Sequence, residues 1–179
     1  MRLSTAAALL FSVLLFSAPA LAGLDDFATG PVIDNYGAVA PVDAELEIPE
    51  GAEFRVAFDI SNQAESGEVN RQLVTAARFL NMHVAAGIPA ERIHLAIVVH
   101  GGAVLDVSQA TLYAGNGAPA NADLVAALVS NGVEIYVCGQ SAVYHNVTND
   151  DLMPGVTMAL SAMTVHALLQ QGGYTLNPF

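Results

Sequence analysis

The chain has 179 residues, with seventeen acids against five basic residues and a formal charge of −12. All five basic residues are arginine, and a chain this acidic repels nucleic acid and anionic membrane surfaces, which excludes both as partners. A single cysteine, Cys138, rules out an internal disulfide.

Residues 1–22 read as a secretory signal peptide. Arg2 gives the positive start, residues 6–16 (AAALLFSVLLF) the apolar core, and Ala20-Leu21-Ala22 a small-x-small cleavage site. The apolar run is short for a membrane span, and an uncleaved anchor is the alternative reading. Cleavage after Ala22 leaves a mature chain from Gly23 with no membrane attachment and a periplasmic destination. It carries four arginines against seventeen acids, 4 − 17 = −13. That compartment is oxidising, so a lone thiol there must be buried and inert, paired between chains, bound to something, or reactive.

Residues 23–52 are acidic, lack any basic residue, and contain several prolines and glycines. They read as an irregular arm that drapes over the domain or a neighbouring subunit, or stays disordered. The domain proper spans 53–179. Alternation of Phe54, Val56, Phe58 and Ile60 predicts a strand. Val69, Leu73, Ala76, Leu80 and Val84 share one face of a helix over 68–86, closed by Gly87, with Arg71, Arg78 and Asn81 elsewhere on the wheel. RIHLAIVVH (92–100) suits a strand buried on both faces. Residues 103–118 are ambiguous and end in loop.

Asn121 caps a helix running to Asn131, with Leu124, Val125, Leu128 and Val129 inward. VEIYVC (133–138) is the next buried strand, followed by a short helix in GQSAVYHNV and a turn in TNDDLMPG. VTMAL (156–160) reads as a strand and Ser161 as the cap of a helix to Gln171; one helix over 155–171 is the rival. YTLNPF adds an edge strand, since Pro178 excludes a central one. Strands alternating with helices predict an α/β fold: a mainly parallel, flavodoxin-like sheet of four or five strands, helices on both faces, and right-handed crossovers.

Ligands of such sheets bind beyond the carboxyl ends of the strands. That rule selects His100 and Cys138 at two strand ends, and Ser161 after a third. The short helix begins near Gly139 or Gln140, so free amides of Gly139, Gln140 and Ser141 would stabilise a thiolate at Cys138. Inert packing is the competing reading, because free cysteine is among the most buried residues. His100 can equally bond a neighbouring carbonyl, and Ser161 can serve only as a cap.

Gly101-Gly102 resembles a phosphate-cradling loop, but neither a GxGxxG nor a Walker pattern is present, and no cofactor is expected. Cys138, His100 and His145 number enough for an open zinc site, yet no CxxC or HExxH spacing supports a metal. His94 shares a strand face with His100 but lies ~20 Å away at strand rise, too far to share an ion. His83 and His166 fall within helices and read as ordinary. A GxSxG elbow is missing, so no serine hydrolase is indicated. Asn146-Val147-Thr148 is a weak glycosylation sequon.

VHGGAV (99–104), VEIYVCGQSA (133–142), DLMPGVTMALSAMT (151–164) and LLQQGGY (168–174) together resemble the DsrE/DsrF-like family, which is linked to sulfur relay and intracellular sulfur oxidation. The resemblance runs from about Glu53 to the C-terminus. It implies a three-layer α/β/α domain that forms homo-oligomers, trimers or hexamers. It also implies that Cys138 matches the acceptor cysteine of the relay members, which carries sulfur as a persulfide between donor and acceptor proteins. His100 matches a strand-end histidine of the same subgroup. Two departures stand out: relay members are cytoplasmic and lack an export signal, and where they carry a basic residue and a glycine after the cysteine helix this chain has His145-Asn146.

Two functional expectations result. One is a periplasmic sulfur carrier with sulfurtransferase-like chemistry, using Cys138 and His100 with Gly101, Gly139, Gln140, Ser141 and Ser161 around the substrate. The other is a non-enzymatic oligomeric module that binds a small molecule or metal, its cysteine inert or in contact with the ligand.

Overall fold

The computed structural model describes residues 23–109 and 119–178. The expected signal peptide and cleavage site (1–22), residues 110–118 of the ambiguous loop and residue 179 lie outside that range.

Five strands form one parallel sheet: β1 (Phe54–Ile60), β2 (Ile93–Val99), β3 (Glu134–Cys138), β4 (Val156–Ala159) and β5 (Thr175–Asn177). Their order is β4-β3-β2-β1-β5. The chain thus steps outward from β1 to β4, then returns across the sheet to add β5 on the far side of β1. Four helices connect them: α1 (Arg71–Ala85), α2 (Ala122–Ser130), α3 (Gly139–Tyr144) and α4 (Ala162–Gln171). The start of the ambiguous loop is a 3₁₀ segment over Gly101–Val107. The single-helix alternative over 155–171 does not form, because residues 156–159 are spent pairing with β3.

The two faces of the sheet differ in bulk. Phe58, Ile60, Leu95, Ile97, Val99, Ile135 and Val137 face α1 and α2 in the large core. Phe58 is fully buried, and a side chain of that kind stabilises a fold by roughly 2–3 kcal/mol. The opposite face presents small residues, Ala57 and Ala96 with Val98, to Val165 and Leu169 of α4. Small side chains let α4 lie close to the sheet, where it touches β2, β3, β4 and β5.

The acidic arm drapes over its own domain. Ile33 enters the large core, and Ala28 pairs with Val39 in an antiparallel bridge. The anchor is Asn81 of α1, which the helical pattern put off the buried face but which is 0% exposed. Its Oδ1 accepts from the amides of Val32 and Ile33, and its Nδ2 donates to the carbonyls of Ile33, Tyr36 and Gly37. Burial of this amide follows from the arm's need for backbone partners. Gly37 lies so close to α1 that a Cβ would sit 2.3 Å from the Arg78 amide nitrogen.

Replacing Asn81 with alanine leaves buried arm amides and carbonyls unpaired. Asn81→Ala is expected to lower unfolding stability by about 2–4 kcal/mol in urea denaturation. It should also open residues 23–45 to limited proteolysis before the domain unfolds.

Candidate functional site

Cys138 is the last residue of β3, and its side chain lies on the α4 face with Glu134 and Tyr136, by strand alternation. It is 7% exposed. Burial pushes its thiol pKa up, but hydrogen bonds outweigh this and bring it below the ordinary value of 9.0. The donors are the amides of Ser141, Ala162 and Gln140 and the Ser141 hydroxyl. A sulfur with this many N–H and O–H partners favours the thiolate, the nucleophilic form.

Two chain segments supply those amides. Gln140 and Ser141 belong to α3, which starts directly after the cysteine. Ala162 opens α4, behind its N-cap Ser161, whose hydroxyl oxygen accepts from the Thr164 amide at 3.1 Å. Gly139 makes this convergence possible. A Cβ there would lie 2.5 Å from the Ala159 carbonyl oxygen, so any larger residue would push the β4–α4 junction away from the sulfur. The Gln140 side-chain amide donates to the Leu160 carbonyl across the same junction.

Gly101 is tied in from the neighbouring strand. Its amide donates to Ser141 Oγ at 3.0 Å. The Ser141 hydroxyl can therefore accept from β2's end and donate to the sulfur at once. Of the expected neighbours, Gln140 and Ser141 donate to Cys138, but the Gly139 amide is not among the donors; Gly101 is linked only through Ser141, and the Ser161 oxygen is occupied by Thr164.

His100 follows β2 on the same face as Cys138. The register that pairs Val99 with Val137 puts these two side by side one step on, roughly 5 Å apart between Cα atoms. Its Nε2 lies 3.0 Å from Asp59 Oδ2, at the end of β1. The other Asp59 oxygen lies 2.6 Å from His166 Nε2 on α4. Burial raises the Asp59 pKa, but hydrogen bonds and charge from His100 and His166 win, and the carboxyl sits below its ordinary range. An ionised carboxylate only accepts, so both rings carry their proton on Nε2.

Asp59, His166 and the Ala162 amide are the members the sequence reading missed. Asp59 had a signal, since it is a charged residue one position before the end of an apolar strand. His166 and Ala162 had none without the strand order that returns α4 over the sheet.

His94 sits at the other end of the sheet, beside Glu53. His83 stacks on Phe79 of its own helix. His145 caps α3 and packs against Tyr144. Among the described residues, no three His, Cys, Asp or Glu side chains are grouped to hold a metal.

Fold and site together define a parallel α/β/α domain that presents a stabilised thiol at a strand end. Residues 55–178 match the DsrE/DsrF-like family, and the chain belongs to it. That family is associated with sulfur relay. Among solved structures, a protein of unknown function from Methanobacterium thermoautotrophicum, MTH1491, is similar at 19% identity and a TM-score of 0.52, over 71% of this chain and all of its own. The ychN protein from E. coli is similar at 14% identity and a TM-score of 0.45, over 70% of this chain and all of its own. No curated protein matches the chain.

A lowered thiol pKa adds stability above the unfolded value and loses it as pH falls through the folded value. Wild type minus Cys138→Ala stability is therefore expected to grow as pH rises from neutral past 9. Ser141→Ala should flatten that growth and slow alkylation of the folded thiol several-fold at neutral pH, as read by iodoacetamide kinetics.

Proposed function

We propose that the protein is a periplasmic sulfur carrier in which Cys138 accepts sulfane sulfur as a persulfide. The observation that supports this best is the ring of amides and the hydroxyl around the Cys138 sulfur, which favours the thiolate despite burial. The thiolate attacks the outer sulfur of a donor persulfide, R–S–SH. A new S–S bond forms at Cys138, the donor S–S bond breaks, and R–S⁻ leaves with the bonding pair. The transferred sulfur keeps its proton, giving Cys138–S–SH, and attack by an acceptor thiolate on that sulfur reverses the step. His100, beside the cysteine, takes the proton from the resting thiol. The amides of Gln140, Ser141 and Ala162 hold the anion left when the sulfur departs.

Export rests on the leader: Arg2, an apolar core and the Ala20-Leu21-Ala22 site. Among the described residues, no helix is long and apolar enough to cross a membrane.

The carrier works as a homo-oligomer. Large apolar side chains stand exposed on α3 and around α4: Tyr144 is 81% and Met163 79% exposed, joined by Val143, Leu160 and Leu168. Neither helix carries an Asp, Glu, Lys or Arg. A strongly acidic chain thus leaves an uncharged apolar surface on which a second copy can dock without like-charge repulsion.

Purified mature protein exposed to polysulfide should gain one sulfur atom by intact mass, and Cys138→Ser should gain none. The same mass should place the N-terminus at Gly23. Equal loading of the serine variant, or a thiol that reacts only after unfolding, would sink the carrier reading and favour a binding module with a packed cysteine. Sedimentation should show an oligomer for wild type and a smaller species for Met163→Asp; a wild-type monomer would remove the oligomer claim.

A further inference from the structure

The carboxylate of Asp59 touches neither the sulfur nor the amides that surround it, yet it joins the two elements that flank Cys138. One oxygen holds His100, which follows β2, at 3.0 Å. The other holds His166, in the second turn of α4, at 2.6 Å. Cys138 pairs with Ala159 across β3 and β4, so α4 starts three residues beyond the cysteine's strand partner, and Ala162 at its amino end lies one turn before His166. Little else fixes α4 to the sheet: only Val165 and Leu169 of this helix are buried. The apolar cluster beneath them is small. The His166 ring is itself mostly covered, with its side chain 19% exposed.

We propose that Asp59 is a positioning residue for the Cys138 thiolate: through His166 it draws the amino end of α4 onto the sulfur, and through His100 it fixes the neighbouring imidazole. The inference rests on the reading of Cys138 as a working thiolate, and adds to it what holds the donors in place. His166 thereby becomes a functional residue although it reaches the sulfur only through its helix. Asp59, as an acceptor for two Nε2–H groups, also leaves each neutral ring with Nδ1 as its basic atom.

The titratable groups on this face fall into two sets. Asp59 of β1, His100 after β2, Cys138 of β3 and His166 of α4 lie at the carboxyl end. Farther along the face, Tyr136 and Tyr174 donate to Glu134, and His94 lies beside Glu53. β4 contributes none, and Tyr144 of α3 is exposed. Asp106, in the 3₁₀ segment, is turned to the Ala64 amide and the Asn70 side chain.

The test is the pH profile of iodoacetamide alkylation of Cys138 in folded protein, with thermal melting as the control for folding. His166→Leu removes the donor at similar bulk, whereas His166→Gln keeps a donor nitrogen within reach of Asp59. His166→Leu is expected to move the profile up by about one pH unit, a tenfold lower rate below the midpoint, and His166→Gln to restore most of it. Superimposed wild-type and His166→Leu profiles would overturn the proposal, as would equal shifts in both variants. If His166→Leu fails to fold, Asp59→Asn decides, since its amide oxygen accepts from one ring only; an unshifted profile again overturns it. Sulfur loading of wild type is measured in parallel. Normal loading with unshifted variants defeats the positioning role alone, while a reactive but unloaded thiol defeats the carrier reading alone.

Discussion

A thiol held below its ordinary pKa at a buried strand end has to be met by hydrogen-bond donors, and this chain has no lysine to bring to it. The donors are main-chain amides instead, and amides cannot reach far. Gln140 and Ser141 stand next to Cys138 in the chain, but Ala162 must be delivered by a different helix. That single requirement explains several local choices. Gly139 yields its Cβ so that the Ala159 carbonyl can come close. Ala57 and Ala96 keep the sheet surface low beneath α4. Ser161 ends the junction with a cap whose oxygen satisfies Thr164, leaving the Ala162 amide for the sulfur.

The two faces of the sheet divide the labour. Stability resides where the large apolar residues are, between the sheet, α1 and α2, with the arm as an added layer clamped by Asn81. Cys138, His100, Asp59 and His166 lie on the thinner face, where one helix covers little area. Opening that face costs less than opening the main core, because less apolar area is buried there. The thin cover also accounts for exposed Met163 and Leu168 on the helix that lies over the site.

Much of the fold was legible from spacing alone. The alternation of Phe54, Val56, Phe58 and Ile60 located β1, and the apolar run ending at His100 located β2. Pro178 correctly marked β5 as an edge strand. Asn81 escaped because the helical wheel, drawn through Val69, Leu73, Ala76, Leu80 and Val84, set it off the buried face, while a buried amide with backbone partners follows a different rule. Cys138 and His100 stood out because strand ends are local features. His166 and Ala162 did not, because their meaning depends on which strand α4 crosses, and strand order is a property of the whole sheet. The 155–171 stretch was ambiguous for a related reason: its residues favour helix, and pairing with β3 overrides that preference.

The return of α4 across the sheet also sets a sequence of events. Ala162 and His166 lie in the last helix, and the strand that follows it, β5, attaches to β1 by only three residue pairs. Until that final segment docks, Cys138 has the Gln140 and Ser141 donors of α3 but lacks the Ala162 amide and the cover that α4 provides. The set of donors around the sulfur is therefore complete only when the last helix and strand are in place.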